Sequence, residues 1–151
     1  MNHVKLIENN PDLIEAFEIR RIVFVIEQHC PPDEEYDEYE TQSQHFLCTH
    51  HGVKAGTCRY RRTNHGYKLE RYAVLDKFRG KGCGSALLKY AIEHIKQSDP
   101  EAGSSLCPLY LHAQEHALLF YEKHGFVAEG DRFFEAGIPH FKMKLQPLTH
   151  Q

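Results

Sequence analysis

Two spacings of apolar residues alternate along this chain, and each predicts a different kind of element. Apolar residues at every second position predict strands over residues 4–8, 44–49, 53–62, 68–75, 109–112, 126–134 and 140–145. Apolar residues three and four positions apart predict a helix from Pro11, a second that ends near Lys96 and a third over residues 115–124. Turn residues at 51–52 and 64–66 join the middle strands as hairpins. This order predicts an α/β fold with a mixed sheet flanked by helices.

The first helix leads into an acidic segment. The segment over residues 31–40 begins with two prolines and carries six carboxylates, so we expect a loop there and not a helix. Two interpretations stay open for it: a solvated face, or part of an entrance that attracts a basic amine. The helix itself is predicted to bury Leu13, Ile14, Phe17, Phe24 and Val25.

A glycine-rich turn joins the fourth predicted strand to the second helix. Gly80, Gly82 and Gly84 alternate with other residues there. Glycines let the backbone approach a ligand closely and point several N–H groups into one concavity, while the helix start adds a partial positive charge. Arg79 and Lys81 add full charges. The turn therefore predicts a binding site for a phosphate or pyrophosphate.

The sequence of this turn distinguishes between phosphate-binding motifs. The dinucleotide fingerprint G-x-G-x-x-G would need a glycine where Ser85 stands, and the Walker loop G-x-x-x-x-G-K-[ST] is absent. Residues 79–84, Arg-Gly-Lys-Gly-Cys-Gly, are instead similar to the [Q/R]-x-x-G-x-[G/A] signature of the GNAT superfamily of acyl-CoA-dependent N-acyltransferases.

A second segment strengthens this resemblance. Residues 109–126 resemble the GNAT hallmark in which a strand leads into a short helix with the pattern N-x-x-A-x-x-x-Y-E-K-x-G-F, although Gln114 stands where Asn is usual. The chain is most similar to the small ElaA-like branch of GNAT proteins, through Val-Phe-Val-Ile-Glu-Gln at 23–28, Lys-Leu-Glu-Arg at 68–71, His-Ala-Gln at 112–114 and Glu-Ala-Gly-Ile-Pro-His at 135–140. The resemblance implies the GNAT fold, a mostly antiparallel mixed sheet with one splayed parallel pair.

The resemblance also implies how acetyl-CoA is bound. The backbone N–H groups of the turn are expected to hold the pyrophosphate, and the main chain of the fourth strand is expected to pair with the pantetheine arm. That pairing requires the strand to splay from its neighbour, the one predicted to end at His112. The implied cofactor residues are Tyr72, Ala73, Val74, Arg79, Gly80, Lys81, Gly82, Cys83, Gly84, Ser85 and Gln114.

Acyl transfer to an amine needs an acid for the departing thiolate and a base for the amine. Tyr121 occupies the position of the family's general acid, and a packed tyrosine is the alternative. Glu70 is our first candidate for the base, ahead of His112 and Glu27, and each has a structural alternative such as a Glu70–Arg71 ion pair. Glu27 and His140 are the expected acceptor-binding residues.

Composition limits the other possibilities. A chain of 151 residues fits one domain, residues 1–151, and its net charge of −3 gives no support for nucleic-acid or membrane binding. No apolar signal core or membrane span is visible, and five cysteines without a disulfide pattern predict reduced thiols in a cytoplasm. The spacing of the twelve histidines fits no metal site. A homodimer is possible.

We therefore expect an enzyme that transfers an acetyl group directly from acetyl-CoA to a primary amine in a ternary complex. One alternative is an acyl-CoA-binding sensor or interaction module without turnover. Another is a transferase of longer acyl groups, because Val-Phe-Val-Ile-Glu at 23–27 faintly resembles acyl-homoserine-lactone synthases.

Overall fold

A computed structural model describes residues 1–147, apart from the side chains of residues 33 and 34. Within these residues, seven strands form one sheet in the order β1-β2-β3-β4-β5-β7-β6, and every neighbouring pair is antiparallel except the parallel pair β4–β5. The strands are β1 Asn2–Leu6, β2 Gln44–His50, β3 Val53–Thr63, β4 Gly66–Val74, β5 Leu109–Gln114, β6 Phe126–Glu135 and β7 Ile138–Leu145. The predicted mixed sheet with one splayed parallel pair is confirmed.

Four α-helices accompany the sheet in the described residues: α1 Asn10–Arg20, α2 Pro32–Glu35, α3 Cys83–Ser98 and α4 Leu118–Lys123. The side chain of Asn9 accepts a hydrogen bond from the N–H of Asp12 and so caps α1, which continues as a wider π-helical segment over Arg21–Glu27. Short 3₁₀ turns cover Glu40–Gln42, Asp76–Phe78 and Glu115–Ala117.

The two faces of the sheet bury separate apolar clusters. Helix α3 packs Leu87, Leu88 and Ile95 against one face, where Phe46 lies. On the other face, Ile19 and Val23 pack against Leu47 and Ala73. Because Phe46 and Leu47 are consecutive on β2, their side chains point to opposite faces, and helices cover both.

The buried face predicted for the first helix is wrong. Ile14 is 67% exposed, and the buried positions are Ala16, Ile19, Arg20 and Val23. These four follow helical spacing, but one of them is an arginine, which a search for apolar residues passes over. The other predicted residues of this face, Leu13, Phe17, Phe24 and Val25, are half-buried.

Several predicted bounds also need correction. Strand β1 spans Asn2–Leu6 and not residues 4–8, because it pairs with β2 from Asn2 opposite His50 to Leu6 opposite Phe46. Strand β5 continues beyond His112 to Gln114, because both residues pair with β7. The acidic segment, expected to be a loop, contains the short helix α2 and ends at Glu40, the first residue of the 3₁₀ turn Glu40–Gln42.

Candidate active site

A cleft of about 630 Å³ opens where β4 and β5 separate. The two strands pair only from Tyr67 opposite Leu109 to Leu69 opposite Leu111, although β4 continues to Val74 and β5 to Gln114. Beyond Leu69, the edge of β4 that faces β5 is therefore not engaged in the parallel ladder. Ten of the predicted site residues line this cleft: Glu27, Glu70, Tyr72, Ala73, Val74, Arg79, His112, Gln114, Tyr121 and His140.

A β-bulge at Arg71 accompanies the separation of the strands. Arg71 has φ +53°, and the register with β3 shifts between Arg59 opposite Glu70 and Thr57 opposite Ala73. A bulge of this kind bends a strand and increases its local twist, which turns β4 away from β5. The guanidinium of Arg71 donates to the backbone oxygen of Glu35 at 2.9 Å and so helps to hold this conformation.

The glycine turn forms the N-terminus of α3. Gly82 has φ +85°, a conformation that suits glycine, and the first helical hydrogen bond runs from the N–H of Ala86 to the oxygen of Gly82 at 3.0 Å. The N–H groups at the start of a helix have no partner within it, so they are available to an anion. The side chain of Asn2 donates to the oxygen of Lys81 at 2.9 Å and anchors the turn.

Two residues predicted for different substrates contact each other. The Arg79 guanidinium donates to the oxygen of Val74 at 2.9 Å and pairs with the Glu27 carboxylate at 3.1 Å. Arg79 was expected to contact the cofactor and Glu27 the acceptor. The pair therefore links the end of the π-helical segment to the glycine turn across the cleft.

Tyr121 is buried among aromatic side chains. Its ring makes edge contacts with Tyr72 and Phe126, each with centroids 6.0 Å apart. Burial, with a smaller contribution from Cys58, raises the pKa of Tyr121 above its ordinary value. The hydroxyl is therefore protonated at neutral pH, as a general acid must be before it acts.

Glu70 lies within a group of cations. Its carboxylate accepts hydrogen bonds from Arg59 and from Arg61, the latter at 2.9 Å, and lies 3.2 Å from the Lys68 ammonium. Burial opposes its ionisation, but these three charges outweigh burial and lower the pKa of Glu70 to about 2. A carboxylate with so low a pKa is a weak proton acceptor. The alternative role considered for Glu70, an ion pair in place of a catalytic base, is thus seen with Arg59, Arg61 and Lys68.

The acidic segment contributes a second set of ion pairs that sequence reasoning missed. Buried Arg20 pairs with Glu35 and with Glu40, both at 2.6 Å. Asp37 accepts a hydrogen bond from Arg59 at 2.7 Å. Burial opposes the ionisation of Asp37, but this bond and the charge of Arg59 lower its pKa to about 2. Among the side chains of this segment that the structure describes, Glu35, Asp37 and Glu40 are thus neutralised, which weakens the proposed attraction of the segment for a basic acceptor.

Three more predicted residues, His112, Gln114 and His140, line the side of the cleft formed by β5 and β7. His112 Nδ1 lies 2.7 Å from a carboxylate oxygen of Glu135, a residue that the motif search did not assign to the site. Gln114 exchanges two amide hydrogen bonds with Gln28, at 2.9 and 3.1 Å. His140 Nδ1 lies 2.7 Å from the oxygen of Ile138, and its Nε2 lies 3.9 Å from a carboxylate oxygen of Glu135.

Within the described residues, 1–147, no three histidine, cysteine, aspartate or glutamate side chains are grouped so that they could hold a metal ion. In the same part of the chain, no helix combines the length and apolar character needed to cross a membrane.

Comparisons with known proteins agree with this geometry. A family model described as "Acetyltransferase (GNAT) domain" matches residues 17–147. A Bacillus subtilis (strain 168) protein with the provisional name acetyltransferase BSU40680 is 42% identical over 147 residues, which cover 95% of this chain and 96% of that protein. Escherichia coli ElaA has a TM-score of 0.82 at 24% identity, over 97% of this chain and 100% of its own. A Bacillus subtilis acetyltransferase solved in complex with CoA has a TM-score of 0.68 at 19% identity, over 98% of this chain and 100% of its own.

Proposed function

This chain belongs to the GNAT family of acetyltransferases, and on that premise we propose that it transfers an acetyl group from acetyl-CoA to a primary amine. Transfer is direct, in a ternary complex of the enzyme with both substrates. The acceptor is a small molecule or a peptide whose amine reaches the cleft between β4 and β5.

The observation that supports this proposal is the early end of the parallel β4–β5 pairing beside the N-terminus of α3. The pantetheine arm pairs with the main chain of β4 around Tyr72, Ala73 and Val74, beyond the last paired residue Leu69. The pyrophosphate binds to the N–H groups over residues 80–85, beside Arg79. A neighbour of the same fold was crystallised in complex with CoA, which supports CoA as the ligand of this fold.

The residues around the thioester have separate tasks. The amine nitrogen attacks the carbonyl carbon, a backbone N–H near Val74 stabilises the oxyanion, and the C–S bond breaks as the N–C bond is completed. Tyr121 gives its proton to the departing sulfur and regains one from solvent. Thiols have a pKa near 8.5, so this proton transfer assists the reaction and is not obligatory.

We also propose that the whole chain forms one domain that functions in a cytoplasm. Pairing of β1 with β2 brings the N-terminal residues into the same sheet as the rest. All five cysteines are buried, and no disulfide joins them in the described residues. A homodimer is compatible with this proposal.

Acetyl-CoA binding is tested by thermal unfolding of the wild type, Gly82→Asp and Gly82→Asn. Both variants place a side chain at φ +85° and a Cβ atom 3.2 Å from Asn2 Nδ2, but only aspartate adds a negative charge beside the pyrophosphate. Ligand at a hundredfold excess over Kd stabilises the native state by about 2.7 kcal/mol. We expect the asparagine variant to retain part of the shift and the aspartate variant to lose it. A wild type unaffected by millimolar acetyl-CoA would contradict the proposal.

Turnover is tested separately, by following free CoA thiol with acetyl-CoA and an amine panel. The panel contains an amino acid, spermidine, glucosamine and a lysine-containing peptide. Thiol release that depends on one of these amines supports the enzyme. Binding of acetyl-CoA without thiol release from any mixture favours the sensor.

A further inference from the structure

An imidazole and a carboxylate from different strands meet on the side of the cleft formed by β5 and β7. His112 is in the middle of β5, and Glu135 is the last residue of β6. His112 Nδ1 and Glu135 Oε1 are 2.7 Å apart, and both residues line the cleft. Their side chains are 26% and 44% exposed, so solvent or a small substrate can reach them.

Aromatic packing fixes the orientation of this pair. The His112 ring makes an edge contact with Phe133 at 5.0 Å, and the ring of His140 stacks on the same phenylalanine at 5.9 Å. His140 Nε2 also lies 3.9 Å from the second carboxylate oxygen of Glu135. The imidazole is therefore held between a carboxylate and an aromatic ring.

The ionisation of Glu135 determines which nitrogen of His112 carries the proton. Burial opposes the charge, but the hydrogen bond and charge of His112, together with Lys68 and His140, lower the pKa of Glu135 below its ordinary value. An ionised carboxylate only accepts hydrogen bonds, so the nitrogen that faces it, Nδ1, carries a proton. In the neutral ring, Nε2 then has a lone pair for a substrate proton.

The surrounding charges include both signs. Lys68 and Glu70 extend from β4, and Lys142 and His140 from β7, where Lys142 is directly opposite His112. Lys142 itself lies 3.5 Å from Glu129 and over the ring of Tyr110. Glu70, the first candidate for the base, is neutralised by three cations, whereas Glu135 contacts the imidazole directly.

We propose that His112 is the general base of the acetyl transfer and that Glu135 is the residue that positions it. This inference rests on the proposed function. As the neutral amine attacks the thioester carbon, the N–C bond forms, the C–S bond breaks, and the proton of the attacking nitrogen moves to His112 Nε2. Tyr121 protonates the sulfur. Solvent then takes the proton from His112 and supplies one to Tyr121. The products are one amide and one CoA thiol.

A double-mutant cycle tests this pair with the amine that gives the fastest thiol release. His112→Ala is expected to lower kcat by roughly a hundredfold to ten-thousandfold, within the range of general-base effects, and added imidazole is expected to restore part of the rate. Glu135→Gln is expected to lower kcat by roughly tenfold to a hundredfold, with the KM for acetyl-CoA unchanged. Because Glu135 acts through His112, the double variant is expected to be no slower than His112→Ala.

The control is Glu129→Gln, which changes a glutamate on the same strand that pairs with Lys142 and Lys144 outside the cleft. It is expected to keep the wild-type rate. The dyad is overturned if the losses in kcat add up in the double variant, if His112→Ala loses no activity, or if imidazole does not restore part of its rate. In each of these cases the activity of the wild type still upholds the proposed function. A wild type without thiol release from any mixture overturns both proposals.

Discussion

At the scale of single residues, Tyr121 and Glu70 show how burial has opposite consequences for two groups. Burial raises the pKa of Tyr121 and keeps its proton in place. The side chain of Glu70 is only 7% exposed, but its contacts with Arg59, Lys68 and Arg61 outweigh the cost of burying its charge. The first environment suits a proton donor, and the second suits an ion pair that stabilises neighbouring strands.

Replacement of Tyr121 by phenylalanine removes the proton donor and keeps the ring contacts with Tyr72 and Phe126. We expect kcat to fall by roughly tenfold to a thousandfold, with little change in acetyl-CoA affinity. The loss should shrink with an acyl donor whose thiol is more acidic, because such a thiolate needs less protonation. Steady-state kinetics of Tyr121→Phe and of the control Tyr90→Phe, at a half-exposed position on α3, measure this difference. Equal rates for the two variants would assign Tyr121 to packing.

At the scale of elements, the short β4–β5 pairing depends on a close backbone approach at Gly66, the first residue of β4. A Cβ atom at Gly66 would lie 2.1 Å from the oxygen of Pro108, and φ at Gly66 is +135°. The next residue, Tyr67, donates its N–H to the same oxygen at 2.9 Å. Glycine thus allows β4 to come beside the start of β5, and the bulge at Arg71 then separates them.

Gly66→Ala is therefore expected to lower the free energy of unfolding more than an alanine at another hairpin glycine does. The expected loss is about 2 to 4 kcal/mol of unfolding free energy, because the backbone of Pro108 has to move. Gly52→Ala is the matched control, since Gly52 has φ +80° but nothing within 4 Å of its Cβ position. That variant should lose about 1 kcal/mol. Urea unfolding measures both, and similar losses would show that the contact with Pro108 is unimportant.

At the scale of the whole molecule, one network of charges joins segments that are far apart in sequence. Arg59 on β3 contacts Asp37, Glu40 and Glu70 and is fully buried. The network connects the acidic segment to the strands that form the cleft. The contribution of this network to the stability of the fold depends on pH, because Asp37 and Glu70 have pKa values of about 2.

These lowered pKa values predict sensitivity to acid. A carboxylate whose pKa is lower in the native than in the unfolded state stabilises the fold above its unfolded pKa, and this contribution disappears as the pH falls towards its native pKa. The window here extends from about pH 4.5 down to about pH 2. A change from 4.5 to about 2 in Glu70 corresponds to about 3 kcal/mol.

Urea unfolding between pH 6 and pH 3 measures this dependence. We expect Glu70→Gln to be less stable than the wild type at pH 6, since Arg59 loses a partner in the interior, and to change less with pH. Glu129→Gln is expected to keep the wild-type dependence. Parallel curves for the wild type and Glu70→Gln would exclude Glu70 as a source of the acid sensitivity.

The sequence by itself determined the features that depend on neighbouring residues. Gly82 and the charged residues beside it identified the turn at the start of α3, and alternation of apolar positions located most strands. Tyr121 was recognisable because its motif lies within one short helix and the adjoining turn. Such signals survive in sequence because helix spacing and turn conformation are set by residues a few positions apart.

Only the tertiary structure decided which distant residues meet. Glu135 on β6 reaches His112 on β5 because β7 pairs with both strands and holds them in one sheet. Gln28 reaches Gln114, a residue 86 positions away in the sequence. The bulge at Arg71 and the burial of Arg20 had no local signal, since arginine rarely adopts positive φ and is rarely fully buried. Strand order and register bring such residues together, and the spacing of residues along the chain contains neither.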